Sequence, residues 1–162
     1  MDWTTLLFSF NGRINRGKYW LALLIYVVVW AVFSFAAVAS LGGFDSDRLF
    51  QVVGTGLLLW AIAFGIFVAS AWSSVATAIK RLHDRDRSGW WIPVIWFGPG
   101  VLNVIGSFRA DALGFICYLA AFVVSVWAFV ELGCLRGTAG PNPYGPDPLA
   151  ERFLPNPITP RP

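Results

Sequence analysis

The feature that most constrains this chain is a series of long apolar runs separated by short polar segments. The runs cover residues 19–41, 49–79, 90–106 and 112–135. A run of about 18 or more apolar residues is typical of a transmembrane helix. Only 13% of the residues are charged, whereas about 25% are charged in an average soluble domain. The pattern predicts an all-α, polytopic membrane protein with four transmembrane helices.

Two of these runs depart from the length of a simple span. The second would measure about 46 Å as a helix, which exceeds a hydrocarbon core of about 30 Å, so it must tilt or project beyond the membrane. The third is short and contains Pro93 and the sequence Gly98-Pro99-Gly100. We therefore expect a kink or a break there, and a re-entrant segment stays open as an alternative to a full span.

The two ends of the chain differ from the runs. Asp2 is placed to cap a short helix in which Trp3, Leu6, Leu7 and Phe10 have helical spacing, which predicts an interfacial N-terminal helix; an unstructured N-terminus is the alternative. The C-terminal part is rich in proline and glycine and cannot be helical throughout. We expect one membrane domain over residues 1–148 and a Pro-rich cytoplasmic tail over residues 149–162.

The second run also carries a face of small side chains, which would let another membrane helix approach closely. Its members recur every four residues: Ala61, Gly65, Ala69, Ser73 and Thr77. We interpret this face as a packing surface, with a pore lined by the hydroxyl groups as the alternative.

The distribution of basic residues predicts the topology, because short cytoplasmic loops carry an excess of Lys and Arg. With four spans, ten of the twelve basic residues lie on the side of both termini and the middle loop, and only Arg48 and Arg109 lie on the other side. A re-entrant third run would reduce this bias to eight against four. We therefore expect both termini on the cytoplasmic side of the membrane, and a net charge of +3 that reflects topology and not nucleic-acid binding.

Several chemical classes find little support in the sequence. Cys117 and Cys134 lie about 25 Å apart along one predicted helix, so they cannot pair. His83 is the only histidine, and a zinc site normally needs three or four protein ligands. We predict no metal and no cofactor, and we find no catalytic signature of a soluble enzyme.

Three polar blocks stand out on the predicted cytoplasmic side. They are Phe10-Asn11-Gly12-Arg13-Ile14-Asn15-Arg16-Gly17-Lys18-Tyr19-Trp20, the stretch from Lys80-Arg81-Leu82-His83-Asp84 to Ser88-Gly89-Trp90-Trp91, and Gly137 to Pro148, which contains Asn142-Pro143-Tyr144-Gly145-Pro146-Asp147-Pro148. With these blocks the chain resembles the bacterial membrane family known as domain of unknown function 805. The resemblance implies a small multi-pass inner-membrane protein without an assigned activity. The family's usual R-R-L-H-D begins with Lys80 here, and its N-R-Y-G has Pro143 in place of the arginine.

The blocks define a candidate cytoplasmic cluster with no assigned catalytic role. Its members are Gly12, Arg13, Arg16, Trp20, Arg81, His83, Asp84, Ser88, Gly89, Trp90, Asn142, Tyr144, Gly145 and Asp147. Helical spacing would let the Asp84 carboxylate bridge Lys80 and Arg81. One interpretation is a charged helix end that braces the next turn, and the other is a site where arginines converge on a lipid phosphate.

Two titratable residues invite a functional interpretation. His83 is expected to be a hydrogen-bonded histidine, with a pH-sensing or ligand-binding role as the alternative. Glu131 is the only acid inside a predicted span, about one turn from its cytoplasmic end. We expect it to pair with Arg13, Arg81 or Arg136, with proton or ion conduction as the alternative.

The sequence thus favours a non-enzymatic inner-membrane protein with a basic cytoplasmic cap. The expected partners are membrane lipids, particularly anionic headgroups, or a membrane protein, including a second copy of the chain. A small transporter or channel is the alternative, and a membrane-embedded enzyme is the third possibility.

Overall fold

A computed structural model describes residues 2–41 and 49–150, and these residues form an all-helical fold. The helices are α1 (Trp3–Phe8), α2 (Arg16–Leu41), α3 (Leu49–Asp84), α4 (Trp91–Ser107) and α5 (Ala112–Phe129), and a π-helical turn (Val130–Cys134) follows α5. Within the described ranges the only β pairing is an isolated bridge between Asn142 and Gly145. The predicted loop containing Gly42, Gly43, Asp45, Asp47 and Arg48 and the tail beyond residue 150 lie outside the described residues.

The short N-terminal helix α1 forms where the sequence predicted it, but it ends at Phe8, so Phe10 lies outside it. The Asp2 carboxylate accepts a hydrogen bond from the Thr4 backbone N–H at 3.1 Å, which satisfies one of the unpaired donors at the helix start. Leu6 is buried, whereas Trp3 and Phe8 are exposed. One side of α1 therefore packs on the bundle and the other presents aromatic rings to the surroundings.

Helices α2 and α3 form the first antiparallel hairpin. The Tyr26 hydroxyl on α2 lies 2.7 Å from the Ser73 hydroxyl on α3, and Ser73 and Thr77 are buried. The small-residue face is therefore a packing surface over this part, as expected. Its other members, Ala61, Gly65 and Ala69, are exposed in the structure. This part of the face is therefore not a packing surface within one chain.

Helices α4 and α5 form the second antiparallel hairpin. The rings of Trp91 and Trp127 meet at 5.5 Å near one end, and Gly106 packs against the Tyr118 ring near the other. Pro99 lies inside α4, which continues to Ser107. Of the expected kink or break at Gly98-Pro99-Gly100, the break is therefore wrong, and the kink stays a prediction. One missing backbone donor at Pro99 removes one hydrogen bond, and packing against α5 along the length of α4 holds the helix together.

Helix α5 does not continue unchanged to the end of its apolar run. Val130–Cys134 form a π-helical turn, a rare element that often marks a functional position because it rearranges the backbone hydrogen bonds. Within this turn Glu131, Leu132 and Gly133 are buried. The predicted regular helix to residue 135 thus ends early, in a turn that directs carbonyl groups toward neighbouring chain segments.

The buried core lies where α3 ends, α4 begins and α5 ends. Its apolar members are Ala78, Leu82, Ile92, Ile95, Ala128 and Leu132. The rest of the helical surface is largely exposed apolar side chains, as expected for helices whose solvent is lipid. Three helical segments are long and apolar enough to cross a membrane, Arg16–Ser40, Gly54–Asp84 and Ala112–Cys134, and α4 is a shorter apolar helix.

The turn between α4 and α5 supplies a test of this arrangement. A methyl group on Gly114 would lie 2.2 Å from the backbone oxygen of Arg109, and backbone atoms cannot move aside cheaply. We expect Gly114→Ala to lower the unfolding temperature in detergent, with a cost of about 1–3 kcal/mol for overpacking. Gly65→Ala is the matched control because its added methyl meets nothing within 4 Å. Equal unfolding temperatures for the two variants would contradict the described turn.

Candidate functional site

A buried group of charged residues lies at the end of the bundle where α3 and α5 end. We call it the polar cap. It comprises Arg13, Lys80, Arg81, Asp84 and Glu131, together with the segment of residues 137–147 that covers them. This segment precedes the predicted Pro-rich tail of residues 149–162, and we call it the tail from here on. The residues come from before α2, from the last turns of α3 and from the π-helical turn, so the fold gathers all three sequence blocks at one place.

Asp84 is at the centre of the polar cap. Its carboxylate forms salt bridges with Arg13 at 3.1 Å and with Arg81 at 2.7 Å, and all three side chains are at least 96% buried. The helical spacing predicted that Asp84 would bridge Lys80 and Arg81. The partnership with Arg81 is confirmed, but Arg13 takes the place of Lys80, because α3 turns the Lys80 side chain toward α1.

Arg13 joins the N-terminal block to the tail. Beyond Asp84, its guanidinium donates to the carbonyl oxygens of Gly140 at 2.7 Å and Thr138 at 2.6 Å. A longer bond of 3.3 Å reaches the Gly145 carbonyl. The planar group with five N–H donors suits this set of acceptors, which a lysine could not satisfy. Arg13 therefore fixes the path of the tail across the polar cap.

Arg81 joins α3 to the π-helical turn. Its Nε donates to the Leu132 carbonyl at 2.8 Å, and its Nη2 donates to the Leu135 carbonyl. Carbonyl groups at the end of a helix have no partner within the helix. A buried cation satisfies them here and also complements the negative end of the helix dipole.

Lys80 has a different role from the one expected. Its ammonium donates to the carbonyl oxygens of Thr5, at 2.7 Å, and Leu6, so it holds the C-terminal end of α1. Among the described residues it forms no salt bridge with an acid. Lys80 is 2% exposed, which makes it a buried cation with neutral acceptors only.

Glu131 is paired, but with other residues than those expected. Its carboxylate binds Arg85 at 3.2 Å and Arg87 at 3.1 Å. Arg13 and Arg81 are occupied by Asp84, and the loop after α3 brings Arg85 and Arg87 over the π-helical turn instead. The expectation of a paired acid is therefore confirmed, and the expected partners Arg13, Arg81 and Arg136 are wrong.

His83 is packed against the third sequence block. Its ring stacks on the Tyr144 ring with centroids 3.9 Å apart and planes within 7°. Its Nδ1 lies 3.4 Å from the Gly12 carbonyl oxygen. His83 thus links the first and third blocks, as a hydrogen-bonded and stacked histidine.

The tail is held by backbone turns as well as by Arg13. The Asn142 side chain donates to the His83 carbonyl at 2.8 Å, and its oxygen accepts from the Tyr144 N–H at 2.9 Å. Gly140 and Gly145 have φ angles of +78° and +139°, a region that residues with a side chain rarely adopt. The glycines of this block therefore allow the turns that place Tyr144 beneath His83.

Asp147 stabilises a turn of the tail and is not one of the residues that form the Asp84 salt bridges. Its carboxylate accepts hydrogen bonds from the Leu149 N–H at 2.8 Å and from the Gly140 N–H at 3.1 Å. These bonds, first from Leu149 and then from Gly140, lower the pKa of Asp147 below its ordinary value, because they favour the charged form. Asp147 is therefore an ionised residue that supports the segment bound by Arg13.

The remaining predicted residues lie around the cluster. The Trp20 indole donates to the Gly133 carbonyl at 3.0 Å, and Arg16 donates to the Cys134 carbonyl at 3.3 Å.

Gly89 packs closely on Ile79. Trp90 is exposed, and the Ser88 hydroxyl accepts only from the Trp90 N–H. Ser88 and Trp90 therefore belong to the loop before α4 and do not join the charged cluster.

The part of the chain that the structure describes has no group of three or more His, Cys, Asp or Glu residues suited to a metal ion. Cys117 is buried and Cys134 is exposed, and both are free thiols. The contacts described within the polar cap are salt bridges and hydrogen bonds.

Sequence reasoning did not single out Gly137, Thr138 or Gly140. A methyl group on Gly137 would lie 2.1 Å from an Asp84 oxygen, so only glycine lets the tail approach the carboxylate. The signal was present in the third block, which is rich in glycine next to a threonine. The sequence did not show which carbonyl groups Arg13 would bind.

The ion pairs of Asp84 supply a prediction. Neutralising Asp84 leaves Arg13 and Arg81 buried without a counter-charge, and breaking a buried ion pair by removing one partner costs about 3–5 kcal/mol. We expect Asp84→Asn to lower the unfolding temperature strongly and to expose residues 137–147 to protease. The matched control is Asp86→Asn, because Asp86 is exposed and asparagine tolerates its φ of 57°. A stable Asp84→Asn protein with a protected tail would contradict the role given to this carboxylate.

Comparison with known proteins places the chain among membrane proteins without an assigned activity. Residues 7–146 match the sequence profile of the family described as protein of unknown function (DUF805). The inner membrane protein YhaH of Escherichia coli K12 is 30% identical over 155 residues, which is 93% of this chain and 99% of YhaH. The uncharacterized protein YiiR of the same strain is 32% identical over 145 residues, 87% of this chain and 86% of YiiR.

A third relative, the inner membrane protein YhaI of Escherichia coli K12, is 30% identical over 140 residues, 86% of each chain. No solved structure matches this chain significantly. The matched residues 7–146 include the first two polar blocks and the third block as far as Pro146, which confirms the resemblance seen in the sequence. This membrane protein therefore belongs to the DUF805 family.

Proposed function

We propose that this protein is a non-enzymatic, multi-pass inner-membrane protein whose polar cap binds anionic lipid headgroups on the cytoplasmic side. The proposal includes four transmembrane helices and cytoplasmic termini. The observation that carries the binding function is that each of the two buried acids in the polar cap is shared by two guanidinium groups.

Contacts at the polar cap support the four-span topology. Arg13, before α2, binds Asp84 at the end of α3, so α2 and α3 leave this face and return to it. Arg87, before α4, binds Glu131 after α5, so α4 and α5 do the same. Helix α4 has 17 residues and is about 26 Å long, close to a hydrocarbon core of about 30 Å.

Thiol labelling in spheroplasts tests this topology. In a background with Cys117 and Cys134 replaced by serine, we introduce Ala110→Cys between α4 and α5, or Ala139→Cys in the tail; both positions are exposed. A membrane-impermeant maleimide should label Ala110→Cys from outside and Ala139→Cys only after permeabilisation. Labelling of both positions from the same side would refute the crossing by α5. The reverse pattern would refute the proposed topology, because a re-entrant α4 or an inverted bundle would place Ala110 inside and the tail outside.

The charge balance of the polar cap favours an anionic partner. Asp84 offsets one of the two charges of Arg13 and Arg81, and Glu131 offsets one of the two on Arg85 and Arg87. Exposed Arg16 and Arg136 add further positive charge at the same end. Basic residues at a membrane surface gain about 1 kcal/mol each from anionic lipids. The surplus charge would therefore hold such headgroups at this face.

The buried arginines are committed to the fold, so the exposed ones are the residues to test. We expect the double variant Arg16→Gln/Arg136→Gln to lose affinity for phosphatidylglycerol by about fivefold for each charge removed. The measurement is native mass spectrometry of the purified protein titrated with this lipid in detergent.

The matched control is Arg48→Gln/Arg109→Gln, which removes two arginines from the side that the sequence assigns to the exterior. This control should retain the affinity of the unaltered protein. Equal loss in both double variants, or loss in neither, would argue against headgroup binding at the polar cap.

A channel finds no comparable support among the described residues. Ser73 and Thr77 are hydrogen-bonded at the α2–α3 contact, and Ser74 bonds to the Ala71 carbonyl. Glu131 is neutralised by arginines at the end of the bundle. Binding to another membrane protein or to a second copy stays a prediction, and the exposed small residues Ala61, Gly65 and Ala69 are where we would look for it.

A further inference from the structure

A cavity of about 520 Å³ lies beside the salt bridges of Asp84, between α1, the segment before α2 and the tail. Its volume falls in the range of about 300–1,000 Å³ that is usual for ligand sites. The charged side chains that line it are Asp2, Arg13, Lys18, Lys80 and Asp147. The cavity therefore combines cations and carboxylates, which distinguishes it from the surplus positive charge discussed above.

The cations in this cavity are not equally available. The Arg13 guanidinium is occupied by Asp84 and by carbonyl groups of the tail. Lys80 donates two hydrogen bonds, to Thr5 and Leu6, and an ammonium group has three donors. One N–H of the buried Lys80 is thus left for a ligand, and the half-exposed Lys18 adds a second cation at the same cavity.

The two carboxylates are ionised and held in place. Hydrogen bonds from the Thr4 hydroxyl and backbone N–H, and then from the Thr5 hydroxyl, lower the pKa of Asp2, and Asp147 is held by Leu149 and Gly140. Each carboxylate accepts more than one hydrogen bond at once, since its two oxygens offer about four lone-pair sites. Both residues can therefore accept from a ligand ammonium group without releasing their present partners.

We infer that this cavity binds the phosphoethanolamine headgroup of a membrane phospholipid, with Lys18 and Lys80 at the phosphate and Asp2 and Asp147 at the primary ammonium. The ligand carries one negative and one positive group, which matches the two kinds of side chain in the cavity. A lipid is the source we assign because α1, which forms one wall, exposes Trp3 and Phe8, and aromatic side chains of this kind lie at the membrane interface. The site is separate from the exposed arginines of the proposed function.

Lipid selectivity tests the inference directly. The purified protein is titrated in detergent with phosphatidylethanolamine or phosphatidylcholine of identical acyl chains, and bound lipid is counted by native mass spectrometry. Because the choline group has no N–H to donate, and hydrogen bonds involving charged groups are strong, we expect phosphatidylethanolamine to bind about tenfold more tightly. Equal affinity for the two lipids overturns the inference.

Two variants locate the selectivity within the cavity. Asp2→Asn keeps a residue that caps helices well but removes the charge, so the preference for ethanolamine should fall at least about threefold. Asp111→Asn is the matched control, since Asp111 caps α5 in the same way by accepting from the Gly114 N–H. Lys18→Gln should weaken the binding of both lipids about equally, because both have a phosphate.

The outcomes separate this inference from the proposed function. A preference that survives Asp2→Asn, or that Asp111→Asn reduces as much, overturns the assigned site. The Arg16→Gln/Arg136→Gln protein should keep the preference for ethanolamine while losing affinity for phosphatidylglycerol. Loss of the ethanolamine preference in that variant would mean that one surface reads both lipids, which contradicts a separate cavity.

Discussion

The Asp84 carboxylate binds two guanidinium groups that come from distant parts of the sequence, and the arrangement of the polar cap depends on this ion pair. Burying three charged side chains is costly, and the attraction between them repays the cost only when their remaining donors are also satisfied. Arg13 and Arg81 meet that condition by donating to backbone carbonyls of the tail and of the π-helical turn. The ion pair therefore ties together the segment before α2, the end of α3, the end of α5 and the tail.

The dependence on polar contacts also explains why close packing is concentrated at one end of the bundle. The helices expose most of their apolar side chains, as helices in lipid do, because lipid tails give no hydrophobic force that drives helices together. The buried core and the hydrogen-bonded charges are concentrated at one end, where α3, α4 and α5 meet. Specific polar contacts at the polar cap, together with the Tyr26 contact to Ser73, hold the two helical hairpins in place.

The cations in and around the polar cap fall into three groups with different uses. The donors of Arg13 are taken up by Asp84 and the tail, and Arg81 is fully buried and bound to Asp84 and two backbone carbonyls. Arg16 and Arg136 lie at the surface, and Lys18 and Lys80 face a cavity that also contains carboxylates. A positive surface favours anionic lipid, whereas a cavity with both signs of charge favours a zwitterionic headgroup. The two proposals therefore rest on different residues of the same face.

The sequence by itself determined the all-helical membrane class, the Asp2 cap and the three polar blocks, because apolar run length and local spacing act within one segment of chain. It also grouped Arg13, Arg81, His83 and Asp84 in one candidate cluster, because the three polar blocks fall on the same predicted side of the membrane. The continuity of α4 through Pro99, the π-helical turn and the partners of Lys80 and Glu131 were decided only by the tertiary structure. These features depend on which helix packs alongside and on which carbonyl groups a neighbouring segment presents, and no local pattern records such distant contacts.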